Sequence, residues 1–159
     1  KYPILKKAFL FSCLSGIRWS DINAMVWSEV RDEGELSRIN FRQIKTDGVE
    51  YLYISQQARE LLGERKNPQD RVFQGLKYGM TYNTEIIRWC NRAAVPKHIT
   101  FHSARHTNAV LLLENGADIY TVSKRLGHRE IRTTAIYAKI VDKKMKEAAE
   151  MIPELNIEI

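Results

Sequence analysis

Fourteen residues, "LGHREIRTTAIYAK" (126–139), hold one histidine, two arginines, two threonines and a tyrosine. Tyr137 follows His128 by nine positions inside the most basic stretch of the chain. A phenol is a weak nucleophile near neutral pH, its reference pKa being about 10. It attacks only where neighbours take up its proton and stabilise the charge developing on the atom attacked. A structural core tyrosine would account for Tyr137 itself, but not for its company. Residues 121–146 carry eight basic side chains (Lys124, Arg125, Arg129, Arg132, Lys139, Lys143, Lys144, Lys146) against Glu130 and Asp142, which is the whole of the chain's net charge of +6. A basic patch on an otherwise balanced body fits a polyanionic partner, nucleic acid first, although a solvated helix face has the same composition.

A second constellation lies upstream, in "FHSARHT" (101–107). His102 and Arg105 stand at i and i+3, so on a helix they share a face. They also fall where a helix begins, and free N–H groups there favour an anion. Imidazole beside guanidinium suits phosphate, which arginine grips through two oxygens. His106, one step from Arg105, is turned away by about 100° and reads as a hydrogen-bonded residue either of the core or just behind the site. Arg18 sits in "SGIRWSD", at a glycine-punctuated junction, as either a surface charge or a further phosphate ligand. Asp21 is either the next helix's cap or a carboxylate holding a site residue in place. Lys45 lies in "IKTDG", at the tip of an expected hairpin, where it is solvated or carried into a bound strand's groove. No histidine or carboxylate cluster offers a metal site and no GxxxxGK[ST] loop cradles phosphate, so no cofactor is expected.

The elements that must position these groups follow from periodicity and punctuation. Residues 4–14 read as a mostly buried helix broken at Gly16, and Ser20 or Asp21 caps a second short helix running through Trp27. Residues 36–42 and 49–54, around "KTDG", read as a β-hairpin. Ser55 opens a helix that ends near Gly63, followed by a polar loop containing Pro68. Further helices are expected over 81–93, stopped by Pro96, and over 103–115, 118–126, about 130–138 and 141–151. The fold class is mainly α with one small antiparallel sheet.

With 159 residues, the chain suffices for one domain with a genuine core. No run approaches the roughly 18 apolar residues needed to span a membrane. Cys13 and Cys90 lack metal-like spacing and read as buried free thiols in a reducing compartment. The start at Lys1, without methionine or signal-peptide pattern, reads as a fragment of something longer.

Taken in order, Arg18, Lys45, His102-x-x-Arg105, Leu126-Gly127-His128 and Tyr137 resemble the tyrosine recombinase, or phage-integrase, family. The likeness covers essentially the whole chain as that family's C-terminal catalytic domain. It rests on "SGIRWSDI" beside a TGxRxSE-like segment, "KT" on the hairpin, "FHSARHT" beside HxLRHT, and "DIYTVSKRLGHREIRTTAIYAK" beside LGHxxxxTTxxYA. Four pieces in the right order carry more than any one of them. The departures are Trp19, where a smaller aliphatic residue is commoner, Ala104 for leucine, and Asn108 at an often aromatic position. Their expected effect is on packing.

The resemblance implies that Tyr137 attacks a DNA phosphodiester to give a 3′-phosphotyrosine and a free 5′-hydroxyl. It makes Arg18, Arg105 and His128 ligands of the phosphate oxygens. His102 would manage the tyrosine's proton, and Lys45, with Arg42 as the alternative, the general acid. Asp21 supports the site from behind, and Lys124, Arg125, Arg129 and Arg132 contact the DNA backbone. Duplex DNA is the implied partner, with a tetrameric synapse of the protein itself and accessory DNA-bending proteins. The implied location is the bacterial cytoplasm, on the nucleoid when DNA is bound. Residues 141–159 form either a helix folded on their own domain or one docked on a neighbouring protomer. A missing N-terminal DNA clamp implies weak affinity for the fragment. The flavour of "YTVSKRLGH" resembles integrases of bacterial mobile elements. Two other classes compete: a DNA-binding module that does not cut, and a small phosphate-ester hydrolase using His102, which would tolerate Tyr137→Phe.

Overall fold

The computed structural model describes residues 2–42, 49–137 and 151. The chain divides into two compact units, Lys1–Asn108 and Ala109–Ile159. The hairpin tip with Lys45, the side chain of Arg42 and the expected helix over 141–151 lie outside the described residues.

The first unit opens with α1 (Pro3–Ser15), started by a proline in its first turn and ended by Gly16 at φ 76°, the left-handed conformation that glycine adopts without penalty. Leu5, Ala8, Phe9, Phe11, Ser12 and Ser15 are buried, a spacing of three and four that turns one face of α1 inward. Phe9 meets the edges of Trp89 and Phe101 at 5.7 and 5.8 Å, and Phe11 tilts against Phe73 at 5.4 Å. Fully burying such a side chain is worth about 1.5–3 kcal/mol. Next, α2 (Trp19–Ala24) begins earlier than expected. Arg18 occupies the capping position, and Asp21 lies in the first turn, 5% exposed. Trp27 belongs instead to a 3-10 turn, Trp27–Glu29.

A three-stranded antiparallel sheet follows in the order β1 (Val30–Glu33), β2 (Leu36–Arg42), β3 (Val49–Ile54). The two strands of the expected hairpin are present with the expected bounds, and β1 is an addition. Val30, Ile39 and Leu52 line up across the sheet on its buried face. Helix α3 (Gln56–Leu62) is opened by the Ser55 hydroxyl, which accepts from the Ala58 N–H, and is ended by Gly63, as its sequence indicated. The loop beyond is tied back to the segment before β1. Trp27 and Ser28 N–H groups donate to the carbonyls of Asp70 and Pro68, and Val72 N–H to that of Met25. Arg65 donates to the carbonyls of Trp27 and Val30, while the Arg59 and Arg65 guanidinium groups lie over the Trp27 ring. Helix α4 (Met80–Arg92) and the start of α5 (Ser103–Glu114) complete this unit.

The second unit has its own small core of Ala109, Leu113, Val122, Leu126 and Tyr137. In it, α6 (Ile119–Arg125) is capped by Asp118, whose carboxylate accepts from the N–H and hydroxyl of Thr121. Residues 131–137, expected as an α-helix, form a 3-10 helix. No described helix is long and apolar enough to cross a membrane.

Asp32 and Cys13 of the first unit each have a pH signature that can be measured. Hydrogen bonds from Arg59 and then Ser37 hold the Asp32 carboxyl well below the usual carboxylate range. A carboxyl depressed on folding stabilises above its unfolded pKa of about 4 and loses that contribution as pH falls below it. With Asp32 half exposed, Asp32→Asn should lower stability at pH 7 by roughly 0.5–1 kcal/mol after solvent screening. In urea titrations that gap should close as pH is taken down through the acid range. Cys13 is a second case, since burial pushes its thiol up to about 11 against the opposing Thr107 side-chain hydrogen bond. Alkylation of Cys13 at pH 8 should therefore be slower by roughly a hundredfold in the folded chain than in the unfolded one.

Candidate active site

The end of α1 and the start of α5 are joined by two side chains. Arg105, 5% exposed, donates from Nη1 to the carbonyl of Gly16, and Asn108 donates from Nδ2 to the carbonyl of Cys13 at 3.0 Å. The donors are three residues apart on α5, and so are the acceptors at the close of α1. Carbonyls in the last turn of a helix have no partner within it. Within that turn, the Ser12 hydroxyl donates to the Ile17 carbonyl and the Ser15 hydroxyl to that of Phe11. The short path Gly16-Ile17-Arg18 is thus held from both sides, so Arg105 is fixed against the segment that carries Arg18. Asn108 contributes a hydrogen bond here as well as packing.

His102 is exposed just before α5, and its carbonyl accepts from the Arg105 N–H. With Arg105 it lines a cleft of about 300 Å³, whose other walls are Ser12, Trp19, Tyr78, Asn83, Thr100 and Phe101. One guanidinium, largely withdrawn from water, and one accessible imidazole therefore line a common space. Of the two places expected for His106, the core is excluded: it is exposed, with its ring edge-on to that of His102, a candidate site residue, at 5.2 Å and 84°. Four residues from His102 is one helical turn, so the two rings are neighbours. Deeper in the same unit, Glu29 is pushed upward by burial, partly countered by the Val26 N–H, with the like charge of Asp21 adding to the rise.

His128 and Tyr137 belong to the second unit. Leu126, 2% exposed, anchors the end of α6, and Gly127 at φ 62° turns the chain. The His128 N–H then closes onto the Ser123 carbonyl at 3.0 Å. In "LGH" the leucine thus anchors, the glycine makes the left-handed turn, and the histidine projects its imidazole. The His128 Nδ1 and the Thr134 hydroxyl share a hydrogen bond of 2.8 Å, and Thr134 is fully buried. Thr134 and Tyr137 stand three apart on a 3-10 helix, where side chains at that spacing eclipse one another. The group that fixes His128 and the tyrosine, itself 7% exposed, thus lie along one edge. Lys124, Arg129 and Arg132 are exposed. Arg125 is half-buried, and burial lowers its pKa from the ordinary arginine value. Lys45 is outside the described residues. No role for Tyr78, Asn83 or Thr134 was evident in the sequence, and only the second threonine of "TT" carried a signal.

A family model described as the phage integrase family matches residues 3–144. The chain belongs to that family. Among curated relatives of this chain, tyrosine recombinase XerC of Rickettsia canadensis (strain McKiel) is 42% identical over 79 residues, covering 49% of this chain and 26% of XerC. The XerH site-specific recombinase, solved in a post-cleavage complex with palindromic difH substrate, matches with a TM-score of 0.70 and 19% identity. That match covers 92% of this chain and 45% of the XerH chain. The catalytic domain of bacteriophage HP1 integrase matches with a TM-score of 0.63 and 22% identity over 99% of this chain and 94% of its own. At such identities the two structures establish a shared fold, mainly α with a small antiparallel sheet. The chain spans less than half the length of the curated relatives it matches.

Thr134→Val should remove the hydrogen bond at His128 Nδ1 while leaving a side chain of similar size. Its expected cost is about 1 kcal/mol, the ordinary worth of one hydrogen bond. Nitrogen NMR of His128 should show mixed tautomers in the variant against one dominant tautomer in the parent; unchanged tautomer populations would show that Thr134 does not orient the ring.

Proposed function

We propose that this integrase cuts and rejoins duplex DNA through Tyr137, as the catalytic domain of a site-specific recombinase. The observation that supports this most is the cleft in which buried, hydrogen-bonded Arg105 and accessible His102 face one space. Binding alone gains little from burying a guanidinium. Stabilising charge that develops on a phosphate gains much, because a preorganised donor in a water-poor site need not reorganise during reaction.

In this reading Arg105 and Arg18 bind the non-bridging oxygens of the scissile phosphate, and His128, oriented by Thr134, donates a further hydrogen bond. The Tyr137 phenolic oxygen attacks phosphorus and its proton passes toward His102. The bond to the 5′-oxygen breaks as Lys45 supplies that oxygen with a proton. The products are a 3′-phosphotyrosine and a 5′-hydroxyl. Attack by a 5′-hydroxyl from another strand reverses the step and returns the tyrosine, so bond energy is conserved without an external source. Asp21, buried in the first turn of α2, steadies the start of the helix that Arg18 caps.

Duplex DNA is the partner, engaged along its backbone by Lys124, Arg125, Arg129 and Arg132. The relatives' names support DNA exchange, and XerH was solved on its difH substrate. We extend the reading to a synapse of four copies, with residues 141–159 docked between neighbours, to accessory DNA-bending proteins, and to the bacterial nucleoid. A mobile element is the favoured setting.

The test is trapping on a nicked duplex that loses a short fragment after cleavage. The chain should form a covalent adduct that peptide mapping places at Tyr137. Tyr137→Phe should form none, and Arg105→Lys should slow adduct formation roughly 10²–10³-fold, as loss of a transition-state donor does. No adduct on a duplex that the chain binds would leave a non-cleaving DNA-binding module. Release of inorganic phosphate from a small ester by Tyr137→Phe would mark a hydrolase.

A further inference from the structure

The cleft beside His102 and Arg105 holds more than a phosphate needs. Trp19 and Tyr78 both line it, their ring centroids 4.9 Å apart and their planes at 58°. Trp19 is the first residue of α2, directly after Arg18, so the helix start that places the arginine also places the indole. Tyr78 sits just before Gly79, which caps α4, and Asn83 lies in that helix's first turn. Tyr78 is 74% exposed, and its described ring contact is with Trp19. An aromatic side chain left that open contributes little to the core.

We propose that Trp19 and Tyr78 stack on the nucleobase flanking the phosphate held by Arg105 and His102, making the cleft a nucleotide subsite. Three chemistries converge there. Guanidinium and imidazole take the anion, two aromatic rings offer π-faces to a base, and the Asn83 amide both donates and accepts, as a base edge requires. The volume of about 300 Å³ is at the lower end of ligand clefts and is larger than one phosphate requires. Stacking on aromatic side chains is tolerant of base identity, so this contact strengthens engagement at the cut without reading sequence. It also gives Trp19 a role beside the packing expected of a bulky residue there, which its contact with the core of this unit bears out.

The proposal rests on the strand-cleaving reading only for which phosphate is bound. Its test leaves Tyr137 out. The 159-residue chain would be titrated, by NMR, with inorganic phosphate, deoxyribose 5-phosphate and a deoxyadenylate dinucleotide. The three tryptophan indole N–H signals would be assigned through Trp19→Leu. The dinucleotide should bind about fivefold or more tighter than deoxyribose 5-phosphate, shift the Trp19 indole signal, and show upfield ring-current shifts of its base protons. Trp19→Leu and, separately, exposed Tyr78→Ala should each reduce that preference severalfold. Equal binding of the two ligands, or a preference that survives both substitutions, overturns the stacking contact. A base preference in a chain that forms no covalent adduct would retain the nucleotide subsite and remove only the cleavage reading.

Discussion

The hydrogen bond from Arg105 to the Gly16 carbonyl is the constraint on which the candidate site depends. A guanidinium cannot shed its charge, so burying one obliges the fold to supply acceptors at fixed positions. Gly16 supplies one because its left-handed conformation ends α1 abruptly and leaves a carbonyl without a helical partner. For a residue with a Cβ the same backbone would cost about 1–2 kcal/mol. From that single turn follow the exit of the chain toward Arg18, the early start of α2, and the seating of Asn108 one turn along α5. Electrostatic preorganisation and helix termination are here the same interaction.

Much of this could be read from the sequence where local chemistry decides the structure. Ser55 and Gly63 bound α3 because a hydroxyl cap and a glycine stop act within a few residues. The strands 36–42 and 49–54 stand out through alternation, with Ile39, Leu52 and Ile54 inward and Tyr51 and Tyr53 outward. Strand β1 did not stand out, because "VRDE" buries only Val30 and is held as a strand by its pairing with β2. Trp27 was read into a helix, yet its N–H is claimed by the Asp70 carbonyl, a partner more than forty positions away. Long-range claims of this kind override local propensity.

The site shows the same division. His102 and Arg105 announced themselves by spacing, and His128 and Tyr137 by a resemblance in order. Of the two places open to His106, its contact with the ring of His102, one turn away, decides for the one beside the candidate site. Trp19 does pack against the core of its unit, as expected, but its place in the cleft was not legible. The cleft is closed by Tyr78 and Asn83, some sixty positions downstream, and no local periodicity connects them to α2.

Arg105 and Tyr137 are held by different kinds of structure. Arg105 lies on an α-helix and donates to the Gly16 carbonyl, whereas Tyr137 ends a 3-10 helix, a form with poorer hydrogen bonds than an α-helix that seldom runs long. Local opening free energies scale with the apolar surface and hydrogen bonds that must be broken. A phosphate-binding group gains from rigidity, since every reorganisation it makes is subtracted from transition-state stabilisation. A nucleophile that becomes covalently joined to its substrate has the opposite requirement, for it must move toward phosphorus as the bond forms and retreat when it is released. In the proposed reaction the arginine would meet the first demand behind a glycine-ended helix, and the tyrosine the second at the end of a seven-residue 3-10 helix whose Thr134 bonds His128.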